Sequence, residues 1–278
     1  MMDVIQLNKF VKLHDGEKIL FCNIGKFSMA CDYISNLNHA VVLILGGTDY
    51  CVTDSFLKIL PKNVRKLFCW NCLIDRNSYG DLIQPIPRGI EISESVDFGD
   101  FSFCGSEIEG EEKRLILSDP PNEDPTKFIY ANFRVNTNYS HRVPVRDFAI
   151  NHPEITWEEP YGETDRQRYV NGPSYMDFVY DILDHQAVLC PQGNDLGENL
   201  RVYETLYLSR VPLTFNKSMY DAMYHIFPTV HISDLNELNN RDVLSKRIDD
   251  AMNTMISNRK YLDFNYWKDM ILNASEDL

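Results

Sequence analysis

The run V-L-C-P-Q-G-N-D-L-G-E-N-L-R-V-Y-E-T-L-Y-L-S-R-V-P-L-T, residues 188–214, sets out an apolar strand, a glycine loop, a helix and a second strand in that order. This is the layout of a phosphate-binding corner in an open α/β sheet. Gly193 and Gly197 let the backbone approach an anion, and the start of the helix offers N–H groups with no partner in the first turn. Arg201 and Glu204 stand three residues apart and so share a helix face. A cation suited to a diphosphate beside a carboxylate suited to ribose hydroxyls points to a nucleotide ligand. The same residues are consistent with an ordinary strand-to-helix turn followed by a solvated ion pair. Asp195 or Asn194 also suits the cap of the helix.

Outward from this corner the chain divides in two. Three prolines and three acids crowd residues 118–125, a composition unfit for a helix or a central strand. A boundary there gives an N-terminal domain over 1–120 and a C-terminal domain over 126–278. In the first, residues 18–23, 40–45 and 64–69 predict strands, the second apolar throughout and therefore buried on both faces. Residues 53–60 predict a short helix, and residues 114–117 a late strand. In the second, residues 127–133 predict a strand, 143–150 a helix with a proline in its first turn, and 175–183 a helix running into strand 187–190. Val243, Leu244, Ile248, Ala251, Met252 and Met255 form a helical stripe. A last helix, residues 262–272, carries Trp267 and is a candidate to cross back onto the first domain.

The chain has 278 residues and a formal net charge of -14. Such a balance disfavours nucleic acid and anionic membrane surfaces as partners. A nucleotide sugar is also an anion, so its site has to be locally positive; Arg134, Arg142, Arg146, Arg201 and Lys217 are the candidates. No apolar run approaches the roughly 18 residues a membrane span needs. The N-terminus lacks the form of a signal peptide, and seven irregularly spaced cysteines suit reduced thiols. A cytoplasmic location is expected.

Several pieces of the chain resemble the exostosin-like glycosyltransferases, in the family's order. They are P-x-G-x-D…R-x-x-E-x-L…P over 191–212, Thr48-Asp49-Tyr50, the strand 66–71 with Trp70 and Asn71, the P-I-P-x-G element 85–89, and Asn132-Phe133 through Thr137 followed by Arg142. Phe227-Pro228-Thr229-Val230 resembles a late strand of the family. The resemblance spans residues 40–270. It implies an α/β protein of the GT-B fold, two Rossmann-like domains facing across a cleft. The short form, with no export signal, is most similar to the glycosyltransferases of large algal DNA viruses, chlorovirus xylosyltransferases among them. Transfer of a sugar, xylose by this resemblance, from a UDP-linked donor to a hydroxyl of an oligosaccharide or glycoprotein glycan is then implied. So is inversion at the anomeric carbon, with no cofactor and no metal. Gln192 stands where the family usually has arginine, and Gly46-Gly47-Thr48 where it has His-Asn-Ser.

On this reading the donor site comprises Asn132, Arg134, Thr137, Arg142, Gly193, Asn194, Asp195, Arg201 and Glu204. The departing diphosphate needs preorganised cations and N–H groups. The acceptor hydroxyl needs a general base. Asp49 follows a buried strand at its carboxyl end and is the first candidate, although a turn aspartate fits equally; Asp75 is the rival. Trp70, Tyr79, Trp157 and Tyr161 are candidates to stack on a sugar ring, or else core residues. Cys69-Trp-Asn-Cys72 has redox-motif spacing, which within a strand reads better as packing thiols. Residues 97–99 read D-F-G, but no other kinase element accompanies them. Two rival classes remain: a nucleotide-sugar or glycan binder without turnover, and a thiol oxidoreductase.

Overall fold

The computed structural model describes residues 2–74, 80–94, 107–160, 174–194 and 197–278. Asp75, Tyr79, Tyr161, Asp195 and the D-F-G tripeptide lie outside them. Two parallel sheets organise the chain. The first half runs α1 (Leu7–Val11), β1 (Ile19–Asn23), α2 (Phe27–Ser35), β2 (Val41–Gly46), α3 (Asp54–Leu57), β3 (Val64–Cys69), β4 (Ile83–Pro85) and α4 (Glu107–Ser118). Its four strands lie in the order β1-β2-β3-β4. All six residues of β2 are buried, as the apolar run predicts for a strand covered on both faces.

The second half runs β5 (Lys127–Ala131), α5 (Tyr139–Asn151), β6 (Ile155–Trp157), α6 (Tyr175–Leu183), β7 (His185–Cys190), α7 (Leu200–Tyr207), β8 (Val211–Thr214), α8 (Lys217–Ala222), β9 (Val230–His231), α9 (Arg241–Asn258) and α10 (Phe264–Glu276). Its sheet has the order β6-β5-β7-β8-β9, every pair parallel. Side chains alternate across it with period two. Tyr130, Val188 and Cys190 join the core shared with α6 and α7. Ile129, Ala131, Ala187 and Leu189 join a second core with Val145 of α5 and Leu244 and Ile248 of α9. Helices therefore cover both faces, and this half is doubly wound. The molecule is an α/β protein of two Rossmann-like halves facing across a cleft, the GT-B arrangement.

Between α4 and β5 the chain runs without regular structure over residues 119–126. Helix α10 then packs against β2 of the first sheet, with Trp267 and Ile271 buried in that core. Phe264 donates its N–H to the Asp3 carbonyl at 2.7 Å, tying the two ends of the chain together. Among the described residues, no helix is long and apolar enough to cross a membrane.

Three expectations about elements are corrected. Residues 114–117 are the end of α4, not a strand. A four-residue apolar run cannot separate the two states by itself, and here the charged helix formers before it carry the helix forward. Helix α5 begins at Tyr139, so Pro144 stands inside it rather than in its first turn. Val243 is 53% exposed and leaves the stripe of α9, whose buried residues are Leu244, Ile248 and Met255.

Candidate functional site

The strand order of the second sheet reverses between β5 and β7, so the connections leaving these parallel strands pass to opposite faces. A crevice opens at the carboxyl ends of strands at such a point, where open α/β sheets bind ligands. The chain leaves β5 through residues 132–138 into α5, and leaves β7 through residues 191–199 into α7. A cavity of about 350 Å³ lies there. Asn132, Arg134, Thr137, Arg142, Gly193, Asn194, Arg201 and Glu204 all line it from the second half, and Asp49 and Arg88 close it from the first. Two other expected cations lie elsewhere: Arg146 pairs with Asp147, and Lys217 with Asp221.

Arg142 shapes the floor. It is 8% exposed. Its Nε donates to the Gln192 carbonyl at 2.8 Å, its Nη1 to that of Arg134 at 2.7 Å and its Nη2 to that of Pro191 at 3.3 Å. One guanidinium thus joins the loop after β7 to the loop after β5. Asn138 adds a bond to the Gly193 carbonyl at 3.0 Å. A Cβ on Gly193 would sit 3.3 Å from Arg142 Nη2, so the glycine keeps that approach open. Burial, reinforced by the nearby Arg201, pushes the Arg142 guanidinium down to about 10. Helix α7 is capped by Asn199, whose side chain accepts from the Arg201 N–H at 3.0 Å.

Arg201 rises from the first turn of α7. Its guanidinium lies over the Phe178 ring at 4.0 Å, and its Nε forms an ion pair with Glu204 Oε2 at 3.0 Å. Its Nη1 is buried and has no hydrogen-bond partner. A buried cationic donor without an acceptor is costly, and the residue that carries it is one of those lining the cavity. Glu204 is 3% exposed, forms an ion pair also with Lys113 Nζ at 2.7 Å and accepts from the Tyr175 hydroxyl at 3.4 Å. Its carboxylate is a junction rather than a side chain open to solvent.

Eight carboxyls and five cations line the cavity, so its suitability for an anion depends on how they pair. Asp49 accepts from Arg88 Nη1 at 2.7 Å and from Asn194 Nδ2 at 3.3 Å, the latter bond crossing the cleft. Glu91, Glu109 and Glu204 surround Lys113. Glu198 accepts from the N–H groups of Asn71 at 3.0 Å and Arg88 at 2.9 Å and from the Tyr203 hydroxyl. Gly197 fits beside it because a Cβ there would come within 2.9 Å of the Asn71 amide. Burial and the neighbouring Glu158, which hydrogen-bonds to it, push the Asp181 carboxyl up to about 6. Most of the negative charge is thereby committed, while the contacts of Arg142 run to neutral carbonyls.

Lys113, Arg88, Glu198, Glu158 and Asp181 all escaped the sequence reading. Glu109 and Lys113 have the i,i+4 spacing of a solvated helix face, and Arg88 sits within the P-I-P-R-G element that drew attention for its prolines. Trp70 is buried in the first core and has no access to a sugar; Trp157 is half-buried. Cys69 and Cys72 are both buried, and hydrogen bonding between them together with burial pushes the Cys69 thiol well up, the opposite of an activated thiolate. Among the described residues no group of histidine, cysteine or carboxylate side chains is placed to hold a metal.

No family model matches the chain, and no curated protein matches it. Among solved structures it is similar to the crystal structure of an alpha1,3-fucosyltransferase, at a TM-score of 0.37 and 10% identity over 91% of this chain and 69% of that one. At that distance the likeness bears no weight on activity.

Proposed function

We propose that the cavity binds a nucleoside diphosphate sugar and that the protein is a glycosyltransferase. The observation that carries this reading is the buried, partnerless Nη1 of Arg201, placed beside Arg142 at the reversal point of the second sheet. Breaking a sugar–phosphate bond builds negative charge on the departing diphosphate. Arg201, Arg142 and the backbone of the Gly193 loop are assigned to stabilise it. Asn132, Arg134, Thr137 and Asn194 complete the donor wall, with Asp195 assigned to it by the sequence. Glu204, held by Lys113 and Tyr175, is assigned to the ribose hydroxyls.

Asp49 is assigned as the base that takes the acceptor proton, with Asp75 as the rival. In this role Asp49 exchanges a hydrogen bond from Arg88 or Asn194 for one from the acceptor hydroxyl. An exostosin-like enzyme, xylose, a UDP-linked donor, inversion, metal independence and a glycan acceptor complete the reading as what the family resemblance implies, and a cytoplasmic setting as what the cysteine usage and the N-terminus suggest.

A binder without turnover uses the same pocket, and the engagement of both Asp49 oxygens favours it. Release of free nucleotide on adding glycan acceptor separates the two. The pocket itself is tested by thermal shift and calorimetry with UDP, GDP and a panel of nucleotide sugars. A ligand at a hundred times its Kd adds about 2.7 kcal/mol of stability. If no nucleoside diphosphate binds or raises the melting temperature, the assignment fails.

A further inference from the structure

Lys113 is 3% exposed, and its ammonium has three protons to place. It donates to Glu91 Oε1 at 2.6 Å and forms ion pairs with Glu204 Oε1 at 2.7 Å and Glu109 Oε1 at 3.2 Å. The Tyr175 ring lies 5.2 Å away. The charge of this cation is thus committed to three carboxylates of the protein. Glu91, Glu109 and Lys113 belong to the first half; Glu204, Arg201 and Tyr175 belong to the second. The contact from Lys113 to Glu204 is therefore made between halves, at the inner wall of the cavity. Helix α4 is seated closely enough to deliver it: a Cβ on Gly110 would meet the Ile92 carbonyl oxygen at 1.6 Å. Beyond Lys113, the other oxygen of Glu204 holds Arg201 Nε, and Arg201 Nη1 is the donor left without a partner.

We propose that Lys113 is a positioning residue of the donor site: through Glu204 it sets the aim of the Arg201 guanidinium. This rests on the reading of the cavity as a nucleoside diphosphate site. Without the ammonium, Glu91, Glu109 and Glu204 face one another with only Arg201 for compensation. They then repel a diphosphate, and they take up protons as the pH falls. Tyr175 on α6 and the Arg201 guanidinium on α7 are the other titratable or charged groups turned toward this cluster from the elements packed on it.

The test is calorimetry with UDP and GDP on the full chain, comparing the parent with Lys113→Met and Lys113→Arg from pH 5.5 to 8. The expected result is at least a tenfold loss of affinity in Lys113→Met at pH 8, a gap that narrows toward pH 5.5, and an affinity closer to the parent in Lys113→Arg. Retained cooperative melting shows that the loss is local. If Lys113→Met does not fold, the double variant Glu109→Gln/Lys113→Gln, which removes one charge of each sign, takes its place against the same expectation. Parent-like affinity in the folded variant, or a loss of equal size at every pH, overturns the positioning role alone. Binding of neither nucleotide by the parent overturns the reading of the pocket and this role with it.

Discussion

The two sheets are built from the same unit and differ in one respect. In the first, each strand lies beside its predecessor, β1-β2-β3-β4, so the order never reverses. In the second, β6 goes to one side of β5 and β7 to the other. Among the described residues, the second sheet therefore opens a crevice between adjacent strand ends, and there Arg142 and Arg201 gather with an unpartnered donor. The first sheet contributes Asp49 from the loop after β2 and Arg88 from the segment after β4, as the facing wall. On the function proposed above, binding energy falls to the second half and proton transfer to the first.

Substitutions on each side should break that division in different ways. The largest effect is expected from Asp49→Asn: kcat falls by about 10²- to 10⁴-fold, the usual worth of a general base, while donor affinity stays within about twofold. Steady-state kinetics with nucleotide-binding calorimetry checks this, and undiminished turnover would pass the base role to Asp75 or another group. Arg201→Met should act the other way, weakening nucleoside diphosphate binding by about 10²-fold, as expected for one charge-assisted contact. Its melting temperature should hold, because the change also removes a buried donor that had no acceptor. An unchanged Kd there would end the comparison.

Arg142→Met tests whether the crevice is itself a built structure. Three carbonyls lose their donor, and a destabilisation of about 3 kcal/mol is expected in urea unfolding. The smallest effect concerns Asp181. Its folded value of about 6 lies above the ordinary aspartate value of 3.8, so the native state holds the extra proton in that interval and stability falls as the pH rises through it. Asp181→Asn removes this dependence. Its melting temperature relative to the parent should be higher at pH 7.5 than at pH 5; an equal offset at both would place the cause elsewhere.

How much of this was written in the sequence follows from what is local. The apolar run 40–45 reads as a strand covered on both faces, and β2 is one, buried at all six residues. Ser174 and Asp177 form a reciprocal cap that starts α6 where the pattern places it. The 114–117 run misled because the last turn of a charged helix and a short strand look alike over four residues. The strand order of the second sheet was not legible, since nothing in β6 or β7 states on which side of β5 each will lie. For the site, Arg142, Arg201, Glu204 and the Gly193 loop stood out by type and spacing, and the structure brings them to one cavity. Lys113 and Glu198 did not, because their partners are Glu204, Asn71 and Arg88, each far off along the chain. A buried ion contact between distant segments leaves no periodic trace.

The apolar interior of the first sheet continues into the layer formed by α6 and α7, so that Phe68, Val179 and Tyr203 belong to a single cluster. Such a seam resists hinge motion, because swinging the halves apart would wet these residues. On the proposed reading, entry to the cavity then rests on rearrangement of the loops at its mouth, and the width of the groove is set as the chain folds.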